Sequence, residues 1–511
     1  MRRAVDAETM GGGFAVPGGT GSELSQVEIR RRAVTGTLAL LARGAAIRVL
    51  GLLASLVLVR LLAPRDFGAV ALGGALLTFS TTIADGGLGA GLIRDAREPE
   101  RRDLQAVLFA QLVALCGLGA VVVAVTYPLG FAGRVTALMM VALPVQAFRV
   151  PGTVLLERSL RYGPIVVTEL VETVVFYGWA IATVLAGAGV WGLATAYPIR
   201  VVVGTATLLG LCRGSRMRPR PSWERIRELL AFGMRLQGIA LTNMLRDLAV
   251  NIGTAAIVGI SVLGLWSLAF RIMSVPFLLF DALWRVSFAT MSRLVAARAD
   301  MRLILSRMTS YGAVLTCCVL CPLAASSQAL VPVVFGATWS AAAEVIPWAC
   351  AGLIISGPVS VAASGYLTAV QDAQSVLRAV AVQSVVWLAV AFATLPVAGV
   401  AGVGIGWFAA CLVESALLAR AVQQLVPVGF ARLLLAPAVA AIVGTSLGMA
   451  LVGMLGNTAF AAGSSAGLSA VAFFTVLLVA QPALLREVLR FAARSGIQAM
   501  SRTPSREASH D

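Results

Sequence analysis

Arg43, Arg48, Arg235, Arg246, Arg271 and Arg285 all stand inside apolar runs of the chain, and so do the acids Asp85, Asp247 and Asp281. A central arginine costs roughly 2.5–3.5 kcal/mol in a bilayer, so six facing lipid would cost on the order of 15–20 kcal/mol. That is more than a fold holds in reserve. These groups need a hydrated cavity or partners. A guanidinium fork matches phosphate oxygens bidentately, so a cationic cavity in a membrane points to an anionic cargo, with phosphate or diphosphate leading.

Each charge also has a plainer reading. Arg43 lies two turns into its span and can reach the interface by extending its side chain. Arg285 follows Asp281 by four residues on one helix face, the spacing of an ordinary ion pair. Arg48, Arg246 and Arg271 have no acid at three or four residues and are assigned to the cavity. Arg149 and Arg200 read as local packing or interface residues. Asp85 admits three roles: an ion or proton path, a pair with an arginine of another helix, or the cap of a kinked helix. Gly86, Gly87, Gly89 and Gly91 behind it let helices approach or let the backbone unwind. They do not form a nucleotide loop, because no strand precedes them. Glu414 resembles Asp247, and Glu169 and Glu172 sit at the cytoplasmic end of a span.

The elements that position these residues follow from composition. The 511-residue chain is 59% hydrophobic and 13% charged, with a mean hydropathy of +0.89. A soluble protein is about half apolar and a quarter charged. The fold class is all-α: a polytopic membrane protein of about fourteen helices. Spans are expected near 36–59, 68–93, 104–127, 134–156, 165–187, 190–212, 229–257, 262–290, 309–334, 343–368, 376–395, 399–420, 433–455 and 464–485.

All basic residues are arginine. Most fall in segments that are cytoplasmic when both termini are inside, whereas the outer loops hold Arg60, Arg65 and Arg134. The net charge of +16 therefore reflects orientation and anionic lipids, and no nucleic-acid module accompanies it. The seven cysteines are scattered. Cys317, Cys318 and Cys321 have metal-like spacing, but no histidine joins them within hydrocarbon, so they read as packing thiols. Neither metal nor cofactor is expected.

The chain repeats itself. Gly68 and Gly264 open the second and eighth spans, each followed seventeen residues later by an acid, Asp85 and Asp281. Pro151 and Pro358, and Gly189-Val190 and Gly399-Val400, extend the match. Six spans per repeat keep both halves in one direction, related by an axis along the membrane normal. The expected organisation is a tail (1–35), an N-lobe (36–212), a cytoplasmic linker (213–228), a C-lobe (229–420), two further spans (433–485) and a basic cytoplasmic tail (486–511). Two such lobes around a cavity suit alternating access.

Specific runs carry a family likeness. Arg60 through Gly68 (RLLAPRDFG), Ala84 through Gly89 with Leu92-Ile93-Arg94, Pro151 through Leu160, Ala231-Phe232-Gly233, and Val334-Phe335-Gly336 with Trp339 and Ala341 stand in order. Together they resemble the polysaccharide-transport (lipid-linked oligosaccharide) flippases of the multidrug/oligosaccharidyl-lipid/polysaccharide exporter superfamily. The resemblance spans about residues 35–430 and implies two lobes, no ATPase domain, and flipping of undecaprenyl-diphosphate-linked sugar units across a bacterial plasma membrane. It also implies that Arg43 and Arg48 match first-span arginines associated with the lipid diphosphate.

Expected partners are the lipid-linked sugar, membrane lipids, and polymerase and glycosyltransferase proteins. A lipid II flippase, or a multidrug or cation antiporter, shares the architecture, although cationic drugs call for an acidic cavity. A sugar polymerase or ligase needs acid/base groups on a sizeable outer loop. The outer loops here are short, and the only histidine is His510.

Overall fold

A computed structural model describes residues 44, 46–94, 97–236, 238–297, 299–488 and 490, with some side chains inside these ranges excepted. Every regular element among them is a helix. In chain order these are α1 (residues 46–61), α2 (Pro64–Asp85), α3 (Leu88–Arg94), α4 (Arg101–Thr126), α5 (Phe131–Met140), α6 (Leu143–Ala147), α7 (Val150–Arg158), α8 (Gly163–Thr183) and α9 (Val190–Leu211). There follow α10 (Trp223–Leu236), α11 (Gly238–Val258), α12 (Ile260–Ala296), α13 (Met301–Phe335), α14 (Val345–Ala369), α15 (Ala373–Ala398), α16 (Ala401–Gln423), α17 (Phe430–Leu455) and α18 (Ala459–Ala480).

Among the described residues eleven helices are long and apolar enough to cross a membrane, or twelve if one bent pair is a single span. The expected count of fourteen is thus not reached by that measure. The first expected span begins outside the described residues. The seventh, α11, is a helix of 21 residues but carries Arg246, Asp247 and Asn251 in its middle, which lowers its apolarity.

Two expected spans are interrupted where chemistry is needed. The second breaks between α2 and α3 at Gly86 and Gly87, whose φ values of 49° and 79° are left-handed. The fourth bends by 51° between Phe131–Ala147 and Val150–Arg158. Pro151 opens the second limb, where its missing N–H would be unsatisfied in any case, and Arg149 is the residue at the bend.

Helices α2 to α9 pack largely on one another, and α11, α12, α14, α15 and α16 form a second group. α17 and α18 pack together and on α13. The two groups meet where α2 lies against α12 and α11. We call the end near residues 62, 259 and 336 the outer end, following the arginine distribution.

The repeat is visible in backbone angles. Gly189, before α9, has φ 54° and ψ −136°, and Gly399, before α16, has φ 55° and ψ −136°. Leu160 and Gln371 are the only non-glycine residues at positive φ among the described residues. Both close a helix the same way: Arg161 N–H donates to Leu156 O, and Asp372 N–H to Leu367 O. In that frame Leu156 corresponds to Leu367. The pairing of Pro151 with Pro358 is therefore displaced by about one helical turn.

Candidate functional site: a polar cavity between two bundles

A cavity of about 690 Å³ lies between the helix groups. Arg48 of α1, Arg149 at the bend, Arg200 of α9 and Arg271 of α12 line it, with Tyr177, Tyr197, Trp266 and Trp387. Arg48 and Arg271 are where the sequence places them. Arg149 and Arg200 were expected to be packing residues; they line the cavity and also pair with Glu172 of α8, Arg149 in direct contact and Arg200 at 4.0 Å. Gly204 makes room for this acid, since a methyl there would overlap the Glu172 carboxylate. Arg200 also lies over the rings of Phe176 and Tyr197 at 5.7 and 5.9 Å. Arg271 lies 6.0 Å from the Phe67 ring across the two groups.

Arg246 is drawn into a chain of polar groups in the second bundle. It donates to Asp247 Oδ1 at 2.8 Å and to Gln383 Oε1 at 3.3 Å. Gln383 Nε2 donates to Glu414 Oε2 at 3.1 Å. The guanidinium faces the Trp387 ring at 5.0 Å. Asp247 is the member of this chain that reaches the central cavity. Arg43 lies outside the described residues, as do the side chains of Arg235, Asp281 and Arg285.

Asp85 caps a broken helix. Its Oδ2 accepts from Gly87 N–H at 3.2 Å and its Oδ1 from Gln111 Nε2 at 2.9 Å. It lines not the central cavity but a neighbouring one of about 620 Å³ within the first bundle, with Glu157, Glu169 and Glu172. The two cavities share Arg149 and Arg200. The cysteines of α13 are free thiols, and the described residues contain no group of three metal-ligating side chains.

The outer end is closed over the central cavity. Gly68 and Gly264, the first pair of the repeat, face each other there. A methyl on Gly68 would overlap Ile260 O, and one on Gly264 would overlap Pro64 O. Trp339 Nε1 donates to Val59 O at 3.0 Å, and the Phe67 and Trp339 rings meet edge-to-face at 5.2 Å. Arg60 donates to Val333 O and Val334 O at the end of α13, at 3.3 and 3.0 Å. Two runs noted separately in the sequence thus form one closure. Another, Pro151 through Leu160, serves α3: the Arg158 guanidinium donates to Leu92 O at 2.6 Å. Glu172, expected at the cytoplasmic end of a span, is buried and so requires the cationic partners that Arg149 and Arg200 supply.

Two pseudo-equivalent helical bundles around a charged cavity define the class, a polytopic helical membrane protein. The chain belongs to the polysaccharide biosynthesis protein family, whose model matches residues 57–344. It is 25% identical over 299 residues to the succinoglycan biosynthesis transport protein ExoT of Rhizobium meliloti (strain 1021), a match covering 57% of this chain and 60% of that protein. The solved structure of lipid II flippase MurJ in an inward closed conformation superposes with a TM-score of 0.67 at 11% identity, covering 88% of this chain and 100% of that one. An inward-facing multidrug resistance MATE family transporter of the MOP superfamily gives 0.53 at 16% identity, covering 78% and 95%. At these identities the likeness is one of fold.

Proposed function

We propose that the protein is a flippase or exporter for undecaprenyl-diphosphate-linked oligosaccharide or polysaccharide repeat units, working by alternating access. The observation that carries this reading is the central cavity, where Arg48, Arg149, Arg200 and Arg271 meet from both bundles beside aromatic rings. Planar guanidinium forks hold diphosphate oxygens, and Tyr177, Tyr197, Trp266 and Trp387 offer faces for a sugar while the prenyl tail stays in lipid. The relative named for succinoglycan transport supports an exopolysaccharide unit as cargo. Closure at the outer end corresponds to a state that loads from the cytoplasm, with both termini inside.

Arg43, Arg235 and Arg285, of which Arg43 and the side chains of the other two lie outside the described residues, are further candidates for binding the diphosphate in this reading. Asp85, Asp247 and Asp281 are the candidates for ion coupling. The protein is a carrier and not an enzyme; polymerase and glycosyltransferase partners act before and after it. A second reading, lipid II as cargo, draws on the MurJ fold match and differs only in the head group.

The test is translocation of a fluorescent undecaprenyl-diphosphate sugar in liposomes under an imposed proton or sodium gradient. Arg48→Ala and Arg271→Ala are expected to lose at least tenfold in rate, about 1.4 kcal/mol, and Asp85→Asn to lose gradient dependence. Wild-type rates in both arginine variants would return these charges to structural roles. Competition with lipid II separates the two cargoes.

A further inference from the structure

Five arginines from two segments open into one cavity at the inner end, apart from the central site. Arg101 and Arg102 stand in the first turn of α4. Arg216, Arg218 and Arg220 come from the stretch joining α9 to α10, which has no regular structure from 216 to 222. The cavity is about 720 Å³, and among the described residues no acid lines it. Gln105 and Ser215 are its buried residues, and Phe148, Leu209 and Met217 give it an apolar wall. The joining stretch is tied to α4 by a backbone bond from Arg220 N–H to Gln105 O at 3.3 Å.

Guanidinium groups keep their charge at any physiological pH, so Arg102, Arg216, Arg218 and Arg220, all exposed around one cavity, attract an anion. Their forks present paired donors at the spacing of phosphate oxygens. The volume falls in the range of small-ligand sites, roughly 300–1,000 Å³. An apolar wall beside a cationic rim suits an amphipathic anion.

We propose that this cavity binds a phosphate-bearing anion, and that the bound anion fastens the stretch joining α9 to α10 onto the first turn of α4. Two sources carry that chemistry: the headgroup of an acidic phospholipid of the inner leaflet, and a soluble phosphate compound. The binding step stands independently of the flippase reading, because it uses no residue of the central cavity.

The experiment measures the melting midpoint of the full chain in phosphatidylcholine nanodiscs at low salt. One arm titrates inorganic pyrophosphate; the other replaces part of the lipid with phosphatidylglycerol. The midpoint is expected to rise by a few degrees in at least one arm. The rise is expected to vanish in Arg216→Ser/Arg218→Ser/Arg220→Ser. It should persist in Arg302→Ser/Arg378→Ser/Arg420→Ser, which removes the same charge from exposed inner-end positions outside the cavity. A rise with phosphatidylglycerol alone assigns the lipid source, and one with pyrophosphate shows that a soluble phosphate suffices. No rise in either arm, or equal loss in both triple variants, overturns the proposal. If the linker triple does not fold, Arg102→Ser/Arg218→Ser takes its place with the same expected loss.

Discussion

Replacing Gly264 with alanine should open the outer end. The added methyl would overlap Pro64 O and lie 3.1 Å from Gly68 N. A carbon tolerates a carbonyl oxygen no closer than about 3.3 Å, so α12 must retreat from α2 by on the order of 1.5 Å. Overpacking of this kind costs about 1–3 kcal/mol. The cost falls on the closed arrangement, because the open one separates these helices. Alanine also favours the helix itself by roughly 0.5–1 kcal/mol over glycine, so local unwinding does not account for the effect. The open population should therefore rise roughly 5- to 150-fold.

The assay is labelling of Ser274→Cys, a cavity position, by an impermeant maleimide added outside, with the seven native cysteines replaced. Faster labelling in Gly264→Ala is expected, and Gly68→Ala should match it. Because the two methyls act on one contact, the double variant should fall short of the sum. An unchanged labelling rate in a protein that melts as the parent does would refute the closure argument.

Three other outcomes follow from local geometry. Gly204→Ala drives the Glu172 carboxylate from its place beside Arg149 and should destabilise by about 1–3 kcal/mol, read as a lower melting midpoint. Trp339→Phe keeps a ring against Phe67 but leaves Val59 O without its donor, so outer labelling should quicken by an amount worth about 1–3 kcal/mol. Asp300 accepts from the N–H groups of Arg302 and Leu303 at the start of α13; Asp300→Ala should lower stability by about 1 kcal/mol without changing outer labelling.

Hydrophobic run length made the helical class legible, because each segment must satisfy its own backbone in lipid. Glycine spacing made the repeat legible: Gly68 and Gly264, paired on sequence alone, turn out to touch. Arg48 and Arg271 were readable as cavity residues because nothing on their own helices could pair with them. Arg149 and Arg200 were not, since their partner Glu172 is on a different helix and a single chain does not reveal which helices neighbour. For the same reason the sequence left three roles open for Asp85. Its partner Gln111 lies on α4, so the acid looks solitary along the chain although it is held in the fold. The displaced proline pairing has another cause: prolines mark bends, but bends can slide by a turn while the closing hydrogen bonds stay fixed.

The outer closure joins two kinds of contact with different thermal behaviour. Arg60 with the α13 carbonyls is polar and exposed; on opening, water replaces each partner at little net cost. The Phe67–Trp339 contact is apolar, and its strength near room temperature is entropic, so it weakens on cooling. The apolar part of the closure should therefore respond to temperature in the opposite sense to the polar part. Cooling is expected to weaken the Phe67–Trp339 contact, which outer labelling of Ser274→Cys at several temperatures would read.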